Sequence, residues 1–317
     1  MGFAVEVGEK GGEIGVSLAG RGQGRQGGVD GGGSGGGNDF AGRAEEGQEP
    51  NAGGLRPDQQ EVDVGLAIAA AAAEISVDLS GFEIVDVAGD VAAAAMACRL
   101  VHEGRAAAVM KGHLHTDDLL KPMLDKEHGL RIGRRFTHVF MIDVPGQPEP
   151  VFVTDAAINI APDLATKVDI CQNAIDLALS LGLEPRVGVL SAVETVNPAI
   201  QSSIDAALLS KMADRGQIRG GQVEGPLAMD NAVDLGAART KGLKSAVAGR
   251  ANILVVPGLD AGNMLAKQLA FISHAEGAGL VLGAKVPIIL NSRSDSPMSR
   301  LASCAVAALH HFADVPK

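Results

Sequence analysis

The chain has 317 residues, 46% of them hydrophobic, with neither tryptophan nor tyrosine and a formal net charge of -11. That length suits one large or two smaller domains, and the acidic, aromatic-poor balance argues against a nucleic-acid binder. Three widely spaced cysteines, Cys98, Cys171 and Cys304, speak against a disulfide framework or a zinc site and for a reducing, cytoplasmic setting. There is no membrane-length apolar run and no signal-peptide pattern.

Residues 1–62 read differently from the rest. Twenty of the 42 glycines precede Arg56, and residues 1–63 hold 11 acids against 5 bases. Such a composition buries too little apolar surface to offset its ordering entropy, so this segment is expected to be disordered. Gly22, Gly24 and Gly27 match a G-x-G-x-x-G spacing, but no helix pattern follows and chance explains the match.

From about Val64 the pattern becomes regular. Ala67–Ala73 continues into an alanine-rich helix, Phe82–Val87 reads as a strand, Asp90–Glu103 as a helix and Ala106–Met110 as a strand. Val139–Val144 and Val151–Val153 are further strands. Over Asp163–Leu181 an apolar stripe of Leu164, Val168, Cys171, Ile175 and Leu179 predicts a helix. Val187–Leu190 is a strand, after which Asn197 caps a helix with Pro198 at its first position. Ile253–Val256 is a strand followed by a helix from about Asp260. Val286–Leu290 is the last strand, and Ser296-Pro297 opens the last helix. Small aliphatic residues alternating between strands and helices predict a parallel α/β sheet.

Ligands of open α/β sheets bind at the carboxyl ends of strands. The richest junction is Asn291-Ser292-Arg293-Ser294-Asp295-Ser296, before the last helix. There free backbone N–H groups suit an anion, Arg293 offers a bidentate contact, Ser292 a hydroxyl and Asp295 a base. The alternative is a capped helix with a solvated arginine. A second junction, Lys111-Gly112-His113-Leu114-His115-Thr116-Asp117, offers a cation and a helix cap at Thr116 or Asp117. Its two histidines lack an obvious third metal ligand, so no metal is expected. Arg131, Arg134 and Arg135 form a basic turn, a candidate for an anionic ligand or simply an exposed loop. Asp155 and Asn159 follow one strand, and Asn263 and Lys267 share a helix face. Alone, these four read as caps and packing groups.

Taken together these segments resemble the phosphate acetyl/butyryltransferase family from about Glu74 to Leu309. The likeness rests on K-G-H-L-H-T-D-D-L at Lys111–Leu119, H-V-F-M-I-D-V-P at His138–Pro145, T-D-A-A-I-N-I-A-P at Thr154–Pro162 and L-S-A-V-E-T-V-N-P at Leu190–Pro198. It continues with K-M-A-D-R-G at Lys211–Gly216, G-P-L-A-M-D-N-A at Gly225–Ala232, G-N-M-L-A-K-Q-L at Gly262–Leu269 and P-I-I-L-N-S-R-S-D-S at Pro287–Ser296.

The resemblance implies a two-domain, parallel-sheet fold like that of isocitrate and isopropylmalate dehydrogenases, with the site in the inter-domain cleft. The first domain would span residues 63–146 plus 286–317 and the second residues 147–285. It implies a homodimer or higher oligomer that interconverts acyl-coenzyme A plus phosphate with acyl phosphate plus coenzyme A. Coenzyme A is then a substrate, and no cofactor or metal is needed. Ser292, Arg293 and Asp295 are the implied catalytic residues. Lys111, His115, Thr116, Arg134, Arg135, Asp155, Asn159, Asn263 and Lys267 are the implied substrate-binding ones. The acetyl branch carries an aspartate seven residues after the serine, where this chain has Ser299; Asp295 is the substitute that the sequence offers. The competing function is a non-catalytic acyl-coenzyme A-binding domain of the same fold.

Overall fold

The computed structural model describes strands at residues 5–9 and 14–18 and, with isolated gaps, residues 68–313. His113, Arg293 and Ser294 are among the gaps. Eleven strands form one sheet: β1 Val5–Glu9, β2 Ile14–Leu18, β3 Ile84–Val87, β4 Val109–Lys111, β5 Thr137–Asp143, β6 Val151–Thr154, β7 Arg186–Leu190, β8 Gln222–Leu227, β9 Ile253–Val255, β10 Glu276–Leu282 and β11 Ile288–Ile289. Their spatial order is β3-β2-β1-β4-β11-β10-β5-β6-β9-β7-β8. Among the described residues the helices that accompany them are α1 Asp90–His102, α2 Thr116–Met123, α3 Leu164–Ser180, α4 Gln201–Asp214, α5 Met229–Val233, α6 Leu235–Thr240, α7 Leu259–Phe271 and α8 Pro297–Phe312. Residues 68–69 and 72–74 are also helical, as expected from the alanine run.

The sheet is mixed rather than parallel, which corrects the expectation from composition. β1, β4 and β11 are parallel neighbours, as are β6, β9, β7 and β8. Between the two sets, β10 pairs antiparallel with both β11 and β5, and β5 pairs antiparallel with β6. Central β10, EGAGLVL, has two glycines in its first half and therefore carries little strand signal. Two strands also lie in the amino-terminal segment. Val5–Glu9 and Ile14–Leu18 alternate apolar with other residues, a strand period that glycine content obscured, and β1 pairs with β4. The remainder of residues 1–67 lies outside the described residues.

Three apolar clusters stabilise the layers. One face of the sheet carries α3, α4 and α8 over a cluster containing Phe152, Ile170, Ile175, Leu177 and Leu209. The other face carries two separate clusters, one under α1 and α2 with Leu100, Leu119, Met123 and Ile288, the other under α7 with Ile142, Val153 and Leu254. The predicted stripe of α3 packs into the first cluster, and Asp163 caps that helix by accepting the Thr166 N–H at 2.7 Å. α4 begins at Gln201, later than the Asn197-Pro198 signal suggested. Asn197 instead accepts the Ala199 N–H in a turn of its own, and its backbone is bound to Ser203 Oγ.

Between α3 and α4 lies a buried ion pair, Lys167 Nζ to Asp205 Oδ2 at 2.6 Å, with Gln201 donating to the other carboxylate oxygen at 2.8 Å. Removing one partner leaves a buried charge without a counter-charge, which costs about 3–5 kcal/mol. Asp205→Ala should therefore lower the urea midpoint by that equivalent, while the double variant Lys167→Leu/Asp205→Leu should lose much less. Equal losses in both variants would show that the pair does not carry the effect.

Candidate active site

Strand direction decides where each candidate residue stands. The Leu282 end of β10 is level with Thr137, where β5 begins, and the Glu276 end with Asp143, where β5 stops. β11 runs with β5, whereas β6 runs against it, so Thr154 lies level with Val139 near the start of β5. The candidates therefore separate into two groups at opposite ends of the central strands. Lys111, His115, Ser292 and Asp295 follow β4 and β11 at one end. Arg134 and Arg135, preceding β5, and Asp155 and Asn159, following β6, lie at the other.

At the first end, the loop after β11 is held by Asp295. Its Oδ2 accepts the Ser292 N–H at 2.8 Å and the Asn291 Nδ2 at 3.2 Å. Asn291 also donates to Ser303 Oγ of α8 at 3.2 Å. The loop is thereby pinned to the helix that follows it, and Ser292 is presented on the exposed side. The cap of α8 is Ser296, whose Oγ accepts the Ser299 N–H at 3.0 Å, with Pro297 at the first helical position. This leaves Asp295 as the loop's tie and not the helix cap. Arg293 lies outside the described residues.

The neighbouring loop follows β4. Lys111 is buried and its ammonium donates to the Gly112 carbonyl at 3.3 Å. α2 starts at Thr116, but the capping position belongs to His115, which makes no side-chain cap bond, so neither Thr116 nor Asp117 acts as the cap. His115 is exposed. Thr116, Asp117 and Lys121 of α2, with Leu124 just past its end, face Ala157 and Ile158 across a cleft of about 710 Å³.

At the opposite end, Asp155 is fully buried and holds its own turn. It accepts the Ala157 and Ile158 N–H groups at 3.0 Å each and the Asn159 side-chain amide at 2.6 Å. Asn159 donates in addition to the Phe136 carbonyl at 2.9 Å, tying this turn to the segment that carries the arginines. Arg134 is paired with Asp176, and Arg135 with Asp169 at 3.4 Å, both on α3. Both arginines, implied as substrate-binding by the resemblance, thus stand next to carboxylates of α3. Asn263 donates to the Ala156 carbonyl at 3.3 Å, while Lys267, one turn on, is exposed. α7 can approach this turn because residue 262 is glycine; a Cβ there would stand 2.9 Å from the Asp155 carbonyl oxygen.

Between the two ends lies His138 of β5, which no local sequence signal marks as functional. It is fully buried, and neither ring nitrogen has a protein partner in bonding geometry. Its ring packs edge-on to Phe140 at 4.3 Å over Gly279, where a Cβ would stand 3.3 Å from Nε2. Burial pushes its pKa down, against the opposing pull of Asp155, the nearby Leu290 carbonyl and Asp295. Neither of the two fully buried thiols is poised as a nucleophile. Burial raises Cys98 to about 11, with Asp125 adding to the shift, and Cys171 to about 12. Among the described residues no group of three or more His, Cys, Asp or Glu side chains forms a metal-binding cluster, and no helix is long and apolar enough to cross a membrane.

Comparison with known proteins bears on what this arrangement does. A family model described as phosphate acetyl/butaryl transferase matches residues 82–308. The chain is 62% identical over 240 residues to a phosphate acetyltransferase of Rhizobium meliloti, covering 75% of this chain and 76% of that protein. It is 43% identical over 239 residues to a phosphate butyryltransferase of Clostridium beijerinckii, covering 75% and 79%. Among solved structures, a branched-chain phosphotransacylase from Enterococcus faecalis V583 superposes with a TM-score of 0.66 at 38% identity, covering 72% of this chain and 82% of that one.

The burial of His138 gives a pH test. Its native pKa lies below the free value, so above pH ~6.5 both native and unfolded rings are neutral and the residue adds no pH dependence. As pH falls below that value the unfolded chain takes up a proton that the native ring resists, and stability declines by at most about 1.4 kcal/mol per pH unit. His138→Leu should therefore gain stability relative to the parent between pH 6.5 and 5, read from urea midpoints. A parent-to-variant difference independent of pH would show that the ring is not held neutral.

Proposed function

Because the chain belongs to the phosphate acetyl/butyryltransferase family, we propose that it exchanges an acyl group between coenzyme A and phosphate at the β11–α8 junction. The enzyme is an acyltransferase of the phosphate acetyl- or butyryltransferase type. The observation that carries this placement is the Ser292–Asp295 loop, tied down by its own carboxylate at the start of a sixteen-residue helix. A helix N-terminus presents unpaired N–H groups and a partial positive charge, which suit phosphate oxygens in an otherwise acidic protein.

In this reading Arg293 holds phosphate through its planar fork and stabilises charge on the transferring group. Ser292, on the exposed side of the loop, orients the thiol or the acyl carbonyl oxygen. Lys111, His115 and Thr116 of the neighbouring β4–α2 loop supply polar and cationic contacts. Asp295 keeps the loop in shape, since one of its oxygens already accepts two hydrogen bonds from that loop. Asp155 and Asn159 play the same part at the other end, where Asn263 holds α7 to the Ala156 carbonyl. Acyl transfer then proceeds directly between the two substrates, without an acyl-enzyme; the two fully buried thiols support that view.

We read the architecture as two α/β halves, residues 63–146 with 286–317 and residues 147–285, arranged as in the isocitrate and isopropylmalate dehydrogenase fold and assembled as a homodimer or higher oligomer. The separation of the α1–α2 and α7 clusters on one sheet face, with a cleft reaching from α2 to the Ala157–Ile158 turn, supports this view. The purely binding alternative is not favoured, because the 62%-identical relative is itself a phosphate acetyltransferase.

Incubation of the full chain with acetyl- or butyryl-coenzyme A should release thiol only when phosphate is present. Absence of phosphate-dependent release with both would overturn the assignment. Arg293→Ala should raise the KM for phosphate strongly, and Arg293→Lys should recover only part, since a point charge cannot reproduce the fork. Unchanged phosphate kinetics in both variants would remove Arg293 from the phosphate site.

A further inference from the structure

The reaction needs a proton acceptor, and two carboxylates stand near the start of α8, each with one oxygen anchored by two hydrogen bonds. In the direction that consumes acyl phosphate, coenzyme A enters as a thiol with a pKa of roughly 8.5. At neutral pH something must remove its proton. Asp295 Oδ2 is committed to the Ser292 N–H and the Asn291 amide. A second carboxylate stands at the same place, contributed by a distant part of the chain. Glu276 begins β10, is exposed, and reaches over the start of α8. Its Oε2 accepts the Ser299 hydroxyl at 3.0 Å and the Ser296 hydroxyl at 3.2 Å. Those two hydroxyls fix one carboxylate oxygen within the first turn of the helix whose N-terminus carries the Ser292 loop. The register of β10 thus delivers a carboxylate to the first turn of α8 from outside that helix.

Resting on the functional reading above, we propose that Glu276 is the general base that takes the coenzyme A thiol proton. The S–H bond breaks, its proton passes to the carboxylate, and the sulfur lone pair attacks the acyl carbonyl carbon. A C–S bond forms, the C–O bond to phosphate breaks, and its electron pair leaves on phosphate. The proton then returns to solvent or to the departing phosphate. In the reverse direction protonated Glu276 protonates the leaving thiolate. The charged groups on the elements packed around Glu276 are Asp143, its cross-strand partner on β5, Asp295 in the loop and Arg300 on α8.

Glu276→Gln keeps the size and the capacity to bond Ser296 and Ser299. It should leave the thermal midpoint and the KM values near those of the parent while lowering turnover by roughly 100-fold at pH 7, a usual share for a general base. The loss should shrink as pH passes ~8.5, where the thiolate forms unaided. Ser299→Asp added to Glu276→Gln should recover part of the turnover, because it restores a carboxylate beside the same hydroxyl. Asp295→Asn, by contrast, should lose activity evenly across pH. If the parent turns over but Glu276→Gln matches it at every pH, or falls evenly at every pH, the assignment of Glu276 is wrong and the functional reading stands. If the parent shows no phosphate-dependent thiol chemistry, both fall. Should Glu276→Gln fail to fold, Glu276→Ala with added formate decides: recovery of turnover supports the base, and none contradicts it.

Discussion

The antiparallel seating of β10 between β11 and β5 governs where chemistry can occur in this molecule. In a uniformly parallel sheet all strand-to-helix junctions open on one edge, and every candidate residue would converge there. Here β4, β5 and β11 run one way, while β6, β7, β8, β9 and β10 run the other. Junctions after β4 and β11 therefore face one end of the central strands, and the junction after β6 faces the other. β10 also carries Glu276 to the end at which β11 stops, which is how a residue remote in sequence comes to lie on α8.

Each end uses the same device to hold its turn. Asp155 and Asp295 both spend their carboxylates on backbone N–H groups of the residues beside them and on a neighbouring asparagine amide. A charge-assisted bond of this kind contributes more than a neutral one and removes the donors that an irregular loop would otherwise leave unpaired. Such a turn can be polar in an apolar setting and still stay rigid. At the β11 end a second carboxylate, Glu276, is anchored from outside the loop by the Ser296 and Ser299 hydroxyls. His138, buried between the two ends and polar without a partner, is the one place along β5 where this satisfaction is incomplete.

Much of this was legible in the sequence. The helix at Leu164–Ser180 announced itself through its stripe, and the last helix through Ser296-Pro297. Family motifs located the loops on either side of Lys111 and Ser292. What was not legible has a common cause, namely dependence on partners distant in the chain. Strand direction cannot be read from apolar runs, so the mixed sheet was missed. β10 was hidden by Gly277 and Gly279; at the latter a Cβ would stand 2.9 Å from the Leu290 carbonyl oxygen. Arg134 and Arg135 looked available until α3 brought Asp176 and Asp169 to them. Nothing local marked Glu276, since its meaning comes from a register with α8 that only the folded sheet sets.

The central claim is that substrates meet at the β4 and β11 end of the sheet. Hydrogen exchange of the full chain, alone and with coenzyme A and phosphate together, tests it without relying on turnover. The account predicts slowed amide exchange in the segments around Gly112–Thr116 and Ser292–Arg300 when both ligands are present. Slowing confined to Arg134–Phe136 and Asp155–Asn159, at the opposite end, would contradict it.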